Sequence, residues 1–218
     1  LMREAVQSKD VATDQVKKNI LYLRIDAFSE NLVEDVKLEL GQGNYQRGLI
    51  LDLRDNPGGI LSVATDFAAL FLSKGAIVSY DMANGDRKTI QADSPASINV
   101  PVAILINANT ASAAEVVAGA LQARNRAVLV GVNSFGKGSV QESLTLANGS
   151  SIEITVGRLR TPLGKFIEGK GIKPDLAASE AQSLPKAIEL IKGLSDILKP
   201  ADQKSFPKST VQSSGNHG

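Results

Sequence analysis

Two short segments contain the residue types that could form a serine hydrolase site. The first, at 109–115, has the sequence NTASAAE, and the second, at 134–141, has the sequence SFGKGSVQ. Ser112 lies between an apolar, strand-like run at 102–106 and a helical run of small residues at 116–123. A turn that joins a strand to a helix places its residues at the carboxyl edge of a sheet, where α/β proteins usually bind ligands. Ser112 is therefore a candidate nucleophile.

The composition limits which group could activate Ser112. The only histidine, His217, is the second-to-last residue and follows a polar stretch, so we do not expect a Ser-His-Asp triad. The chain has no cysteine, which excludes a thiolate nucleophile. A lysine is a known alternative base for a serine. Lys137 lies between two glycines, where a backbone bends tightly and approaches other atoms closely. Lys137 is therefore the candidate base.

A lysine that acts as a general base has to lose its proton near neutral pH. A free lysine has a pKa of about 10.4, whereas an effective base needs a pKa of about 7–8. This difference corresponds to about 4 kcal/mol of free energy against the ammonium form. Burial can supply that free energy, and a solvated lysine cannot. We therefore expect the Lys137 amine to be buried beside Ser112, with no carboxylate in contact.

A tetrahedral intermediate on Ser112 would also need hydrogen-bond donors for its oxyanion. The backbone N–H of Ala113, at the start of the predicted helix, is one candidate. The other comes from the dense turn signal NPGG at 56–59, where glycines let a substrate carbonyl approach the backbone.

Strands and helices alternate along most of the chain, and this order indicates parallel crossover units of an α/β fold. The middle segment is richer in β signals and is expected to form a cap-like part, with hairpins around Asn84-Gly85 and Asn148-Gly149. Predicted strands lie at 19–25, 48–53, 76–80, 87–90, 102–106, 127–130, 140–146 and 152–156. Predicted helices lie at 29–40 (with Ser29 as its cap), 60–72, 112–124 and 184–198.

The composition is that of an ordinary globular protein. Of 218 residues, 43% are hydrophobic and 22% are charged, and the net charge of +1 gives no reason to expect a nucleic acid partner. The absence of cysteine removes disulfides and thiolate metal sites. We expect residues 1–18 to be a linker or the end of a missing upstream module, 19–198 to be the core domain, and 199–218 to be a disordered tail.

Four segments, in order along the chain, resemble blocks of the carboxyl-terminal processing peptidases, a family of tail-specific serine proteases. They lie at 48–59, 107–121, 135–141 and 169–175. The resemblance extends from about Asn19 to Asp175 and implies a crotonase-like, ClpP-related core.

The resemblance also implies roles for individual residues. Ser112 would be the nucleophile of a serine-lysine dyad and Lys137 its base. Gln141, four residues after the lysine, would hold the amine without stabilising its charge. Gly58 and Ala113 would supply the oxyanion donors.

The same resemblance implies an endopeptidase that cleaves protein or peptide substrates near accessible C-terminal tails, without a metal or cofactor. It implies an extracytoplasmic place, periplasmic or membrane-associated, and leaves a homo-oligomer open. This chain departs from the family pattern at Ala114, where another serine is frequent, and no PDZ-type domain of the kind expected upstream is recognisable in it.

Each segment also has a simpler interpretation. The residues SAAE at 112–115 fit an ordinary capping box, NPGG at 56–59 is common turn chemistry, and Lys137 between glycines is typical of a solvated loop. The run at 131–137 has the pattern G-x-x-x-x-G-K of a phosphate-binding loop, although Gly138 stands where Ser or Thr should follow. A non-catalytic binding module is the remaining alternative, since retinoid-binding repeats resemble the same fold.

Overall fold

A computed structural model of the protein describes residues 10–198, which form ten strands and four helices in two sheets. The strands are β1 (Val11–Lys17), β2 (Ile20–Ile25), β3 (Gly48–Asp52), β4 (Gly75–Met82), β5 (Arg87–Ala92), β6 (Val102–Ile106), β7 (Val128–Gly131), β8 (Ser139–Thr145), β9 (Ser151–Arg160) and β10 (Leu176–Ala177). The helices are α1 (Leu32–Gln42), α2 (Leu61–Ala69), α3 (Ala113–Ala123) and α4 (Glu180–Ile197).

The main sheet has the strand order β1-β2-β3-β6-β7-β10. Strands β2, β3, β6, β7 and β10 are parallel, and only β1 runs antiparallel, along the edge. Strands β3 and β6 are buried at every position, as expected for strands of a parallel sheet that is covered on both faces. The predicted crossover units are confirmed.

Helices cover the two faces of the main sheet unequally. On one face, Leu49, Leu51 and Ile104 belong to a large core that includes side chains of α1, α2 and α3. On the other face, Ile50 belongs to a smaller core with residues of α4, among them Ile191. The alternation of neighbouring residues between the two cores follows from the two-residue period of a strand.

The second sheet has the order β5-β4-β9-β8 and is antiparallel throughout. It contains both predicted hairpins, with the turns at Asn84-Gly85 and Asn148-Gly149, so the β-rich character of the middle segment is confirmed. Strand β4 contacts α3, and β8 begins two residues after Lys137. The second sheet therefore continues directly from the segment that contains the candidate base.

Three sequence predictions about the elements are wrong. Residues 11–17 are not a linker, because β1 pairs with β2 and completes the edge of the main sheet. Helix α1 begins at Leu32 with Asn31 as its N-cap, two residues after the predicted cap Ser29. Helix α4 begins at Glu180, four residues earlier than predicted. The expected tail at 199–218 lies outside the described residues.

Within residues 10–198, no helix has both the length and the apolar character needed to cross a bilayer.

Candidate active site

Ser112 occupies a strained position in the turn between β6 and α3. Its backbone φ is +55° and its ψ is −121°, a conformation that residues with a side chain rarely adopt. Such outliers cost about 1–3 kcal/mol and cluster at functional sites, and nucleophilic serines on strand-to-helix turns of hydrolases are known for this strain. The residue is half-buried and α3 starts at the next residue, Ala113. The turn therefore presents Ser112 at the carboxyl edge of the sheet, as predicted.

Hydrogen bonds from the loop after β3 hold this turn in place. The Thr110 hydroxyl, which is buried, donates to the Leu53 carbonyl over 2.7 Å. The Ala111 N–H donates to the Asn56 carbonyl over 2.9 Å. Because these bonds hold the two residues before Ser112, they fix the backbone that leads into the strained conformation.

Asp55 connects the same two loops at the surface. Its carboxylate accepts hydrogen bonds from the side-chain amides of Asn109 (2.8 Å) and Asn107 (2.9 Å). These two hydrogen bonds lower the pKa of Asp55 below its ordinary value, and the bond from Asn109 has the larger effect. This cluster was not predicted, although an Asp-Asn pair follows one strand and two asparagines follow a neighbouring strand, so that polar residues lie at adjacent sheet ends.

Gly58 lies directly against the Ser112 turn. It has a φ of +106°, and a Cβ on it would be 2.8 Å from the Ser112 Cβ and 3.0 Å from the Ala113 nitrogen. Only glycine fits this position without displacement. The Gly58 N–H donates to the Asn56 side-chain oxygen over 2.8 Å, whereas the Ala113 N–H has no hydrogen-bond partner within residues 10–198.

The backbone of Lys137 lies next to the Ser112 turn, because its N–H donates to the same Glu115 oxygen as the Ser112 N–H. The Phe135 N–H donates to the Thr110 carbonyl over 2.9 Å, which docks the segment onto the nucleophile loop. Lys137 itself is exposed, and its amine makes no hydrogen bond or ion pair with any residue of the described part. The expectation that this amine is buried is therefore wrong for this structure.

Gln141 is also exposed, on β8 opposite Thr155. Its side chain makes no hydrogen bond with residues 10–198. The structure therefore does not bring it to the Lys137 amine.

Glu115 links the two candidate catalytic segments. It is fully buried, and its Oε2 accepts hydrogen bonds from the N–H groups of Ser112 (2.9 Å) and Lys137 (2.8 Å). Its Oε1 accepts from the Ser134 hydroxyl (2.5 Å) and the Gly136 N–H (2.7 Å). The capping-box interpretation accounts only for the bond to Ser112. The sequence signal for the wider role is a carboxylate at the start of a helix whose next six residues are all small or apolar.

The segment at 169–173 covers the other side of the Lys137 segment. The Gly169 N–H donates to the Gly136 carbonyl over 2.9 Å. The Ile172 N–H donates to the Ser134 hydroxyl oxygen over 2.6 Å. The Lys137 segment is thus held between α3 and this later loop.

The phosphate-binding alternative finds no support in the geometry. Gly138 leads into a strand, β8, whereas a phosphate-binding loop should lead into a helix. Among residues 10–198, no cluster of three or more His, Cys, Asp or Glu side chains is arranged to hold a metal ion.

The chain matches known proteases over most of its length. The model of peptidase family S41 matches residues 19–178. The carboxyl-terminal-processing protease of Synechocystis sp. is 40% identical over 160 residues, which are 72% of this chain and 38% of that protein. The carboxy-terminal processing protease CtpA of Bacillus subtilis is 33% identical over 181 residues, which are 82% of this chain and 39% of that protein.

Among solved structures, the photosystem II D1 C-terminal processing protease is similar, with a TM-score of 0.73 at 29% identity. The match covers 88% of this chain and 55% of that one. The chain therefore spans less than two thirds of the length of these relatives. The family model covers more than half of the chain and includes the Ser112 turn, the glycine turn before it and the Lys137 segment. The chain belongs to peptidase family S41.

Proposed function

We propose that this chain is the proteolytic core of a carboxyl-terminal processing peptidase, a serine endopeptidase that uses Ser112 and Lys137 as a dyad. One observation supports this most directly. A single oxygen of Glu115 accepts both the N–H of the strained Ser112 and the N–H of Lys137, at 2.9 and 2.8 Å. The backbone nitrogens of Ser112 and Lys137 therefore lie no farther apart than the sum of these two distances. A lysine side chain, with its four-carbon stem, can span that separation.

The proposed reaction is acyl transfer through Ser112. The neutral Lys137 amine takes the hydroxyl proton as the serine oxygen attacks the scissile carbonyl. The resulting ammonium then donates that proton to the leaving amine as the C–N bond breaks. Water, activated by the same lysine, hydrolyses the acyl-enzyme and regenerates the serine.

The catalytic state has to differ from this structure at the Lys137 side chain. Its backbone already lies beside the Ser112 turn, so in this proposal a change of side-chain rotamer brings the amine to Ser112. Gln141 would hold the amine in that state, since a neutral amide orients it without stabilising its charge. Bound substrate or further protein would supply the burial that a lysine base requires.

The oxyanion would be stabilised by two backbone N–H groups. Ala113 offers a donor that has no partner within residues 10–198. Gly58 would supply the second donor, and its present bond to the Asn56 side chain would be shared or exchanged when the oxyanion forms.

The wider assignment rests on the longer relatives. We propose substrates that are proteins or peptides with accessible C-terminal tails, since the names of these relatives describe carboxyl-terminal processing. A PDZ-type domain upstream, an extracytoplasmic location and a homo-oligomeric assembly belong to the same proposal. So does the assignment of the core to the crotonase-like, ClpP-related fold.

The test compares the 218-residue chain with its Ser112→Ala and Lys137→Ala variants on an unstructured protein substrate. Both substitutions should abolish cleavage, and a fluorophosphonate probe should label the wild type at Ser112 only. Lys165→Ala is the matched control, because this exposed lysine is remote in sequence from both catalytic segments and lies in the turn after β9. Cleavage that persists in both variants would disprove the dyad and favour a non-catalytic binding module with a contaminating protease.

A further inference from the structure

We propose that Glu115 is a positioning residue of this site, whose buried carboxylate fixes the Lys137 segment relative to the Ser112 turn. The inference rests on the proposed function, because it concerns the geometry of the same dyad. Glu115 does not contact substrate in this scheme, since it has no exposed surface. It acts only through the two segments that it joins.

The contacts of Glu115 span the site. The carboxylate lies in α3, immediately behind the nucleophile turn, and accepts four hydrogen bonds of 2.5–2.9 Å. One donor is the N–H of Ser112, and two are the N–H groups of Gly136 and Lys137. The fourth donor, the Ser134 hydroxyl, in turn accepts the Ile172 N–H. One side chain therefore connects the nucleophile, the base segment and the loop that covers it.

The negative charge is essential to this arrangement. All four partners are donors, and an ionised carboxylate has two oxygens that accept on every side. No Lys or Arg side chain within residues 10–198 forms an ion pair with Glu115. The buried charge is therefore stabilised by oriented N–H and O–H groups, which form the stronger, charge-assisted kind of hydrogen bond.

Glutamine has the same shape as Glu115 but cannot replace it. Its single amide oxygen serves one pair of donors, and its NH₂ group points at the other pair. If the NH₂ faces Ser112 and Lys137, both catalytic backbones lose their shared acceptor. If it faces Ser134 and Gly136, the hydroxyl can rotate to accept, but the Gly136 N–H is left unpaired. Either orientation loosens the Lys137 segment.

The expected consequence is a defect in turnover rather than in binding. A displacement of about 1 Å at a reacting group can reduce the rate by about 10²-fold. We expect Glu115→Gln to lower kcat by about that factor and to leave KM unchanged. We also expect faster amide hydrogen exchange at Gly136 and Lys137, while exchange in β6 stays at the wild-type rate.

The matched control is Glu168→Gln. Glu168 is exposed and accepts one hydrogen bond on the same segment, from the Gly138 N–H over 2.7 Å. Because an amide oxygen can also accept this single bond, and because Glu168 is exposed, this variant should keep the wild-type kcat and exchange rates. If Glu115→Gln does not fold, Ser134→Ala serves instead, since it removes one donor from the same carboxylate and should shift kcat and exchange in the same direction.

The outcomes separate this inference from the proposed function. Wild-type kcat and wild-type exchange in Glu115→Gln, or in Ser134→Ala where that variant is used, would overturn the positioning role even though Ser112 remains essential. Accelerated exchange across β6 as well would also overturn it, because the effect would then be general destabilisation. If the wild type shows no Ser112-dependent cleavage, the proposed function fails, and the exchange data still decide whether Glu115 holds the two segments.

Discussion

At the scale of single residues, Gly58 leaves little free space around Ser112. Gly58 touches both the nucleophile and the first residue of α3, and it does so with a backbone conformation that favours glycine. Its missing side chain therefore has two functions: it permits the φ of +106°, and it leaves room for the Ser112 turn.

Replacing Gly58 with alanine should affect activity more than stability. The new Cβ would push against Ser112 and Ala113, at 2.8 and 3.0 Å. We expect the rate of fluorophosphonate labelling at Ser112 to fall by about 10²-fold or more, the scale seen when an oxyanion donor is lost. The measurement is the labelling rate, with the unfolding midpoint recorded in parallel.

Gly85→Ala is the control for this prediction. Gly85 also has a positive φ, +91°, but a Cβ there would meet nothing within 4 Å. Both substitutions carry a similar backbone strain, and only Gly58→Ala adds the contact with the site. Equal labelling rates in the two variants would contradict the proposed role of Gly58.

At the scale of the elements, a polar cluster connects two strands and a helix. The Tyr22 hydroxyl on β2 donates to the buried Asp52 carboxylate on β3 over 2.6 Å. The Arg54 guanidinium donates hydrogen bonds to the same carboxylate. It also donates to the Glu180 carbonyl and the Ser183 hydroxyl on α4. Burial, followed by the hydrogen bond to Asp52, raises the pKa of Tyr22 from 10.0 to about 12.

This cluster predicts a loss of stability in alkali. The folded state holds the phenol proton of Tyr22 more tightly than the unfolded state does. The contribution of this proton to the free energy of unfolding is therefore complete below pH 10. It disappears as the pH rises from 10 to about 12. Urea unfolding across this range should show the free energy of unfolding falling in the wild type, and falling less in Tyr22→Phe.

Tyr80→Phe is the control for the alkaline experiment. Tyr80 lies on β4 in the other sheet, so this variant keeps Tyr22 and should retain the wild-type loss. If Tyr22→Phe and Tyr80→Phe lose the same amount of stability between pH 10 and 12, the cluster is not responsible.

The strands and hairpins were predictable because their signals are local. Strands β3 and β6 are apolar runs, and the two hairpins have Asn-Gly at their turns. Strand β1 was missed because most of its side chains are exposed and it lacks a continuous apolar pattern. The start of α4 was predicted too late because its apolar pattern begins only at Leu184, whereas the helix begins at Glu180 and contains Pro185.

The site was predictable only in part, for a related reason. The closeness of Ser112, Ala113 and Gly58 follows from two strand ends that meet at one sheet edge. The orientation of the Lys137 side chain and the four bonds of Glu115 depend on contacts between segments far apart in sequence. Neither propensity nor periodicity contains that information.

At the scale of the whole molecule, the outer face of the β8–β9 hairpin stands out. Leu144 and Ile152 are cross-strand partners, Ile154 lies on the same face, and all three side chains are about half exposed. Isolated exposed apolar residues are normal, whereas adjacent ones form a patch. The second sheet therefore presents an aliphatic surface to solvent.

We expect this patch to dominate the binding of a hydrophobic dye to the native protein. Replacing Ile152 and Ile154 with threonine should reduce the fluorescence of bound anilinonaphthalene sulfonate. The free energy of unfolding should change by about 0.5 kcal/mol or less per residue, since threonine also favours strands. Leu38→Thr is the control, because Leu38 is exposed on α1, a helix that contacts α2 and β1. A double variant that binds as much dye as Leu38→Thr would contradict the existence of the patch.

The backbone of Ser112 also bears on how such a sequence is maintained. Glycine would adopt the conformation at φ +55° and ψ −121° without strain. Selection for folding alone would therefore replace Ser112 with glycine and remove the hydroxyl. Serine at position 112 costs folding free energy. Its strained backbone is held by the hydrogen bonds that Asn56, Thr110 and Glu115 make around the turn. Redesign of this protein for stability alone would therefore tend to replace Ser112 with glycine and erase its chemistry first.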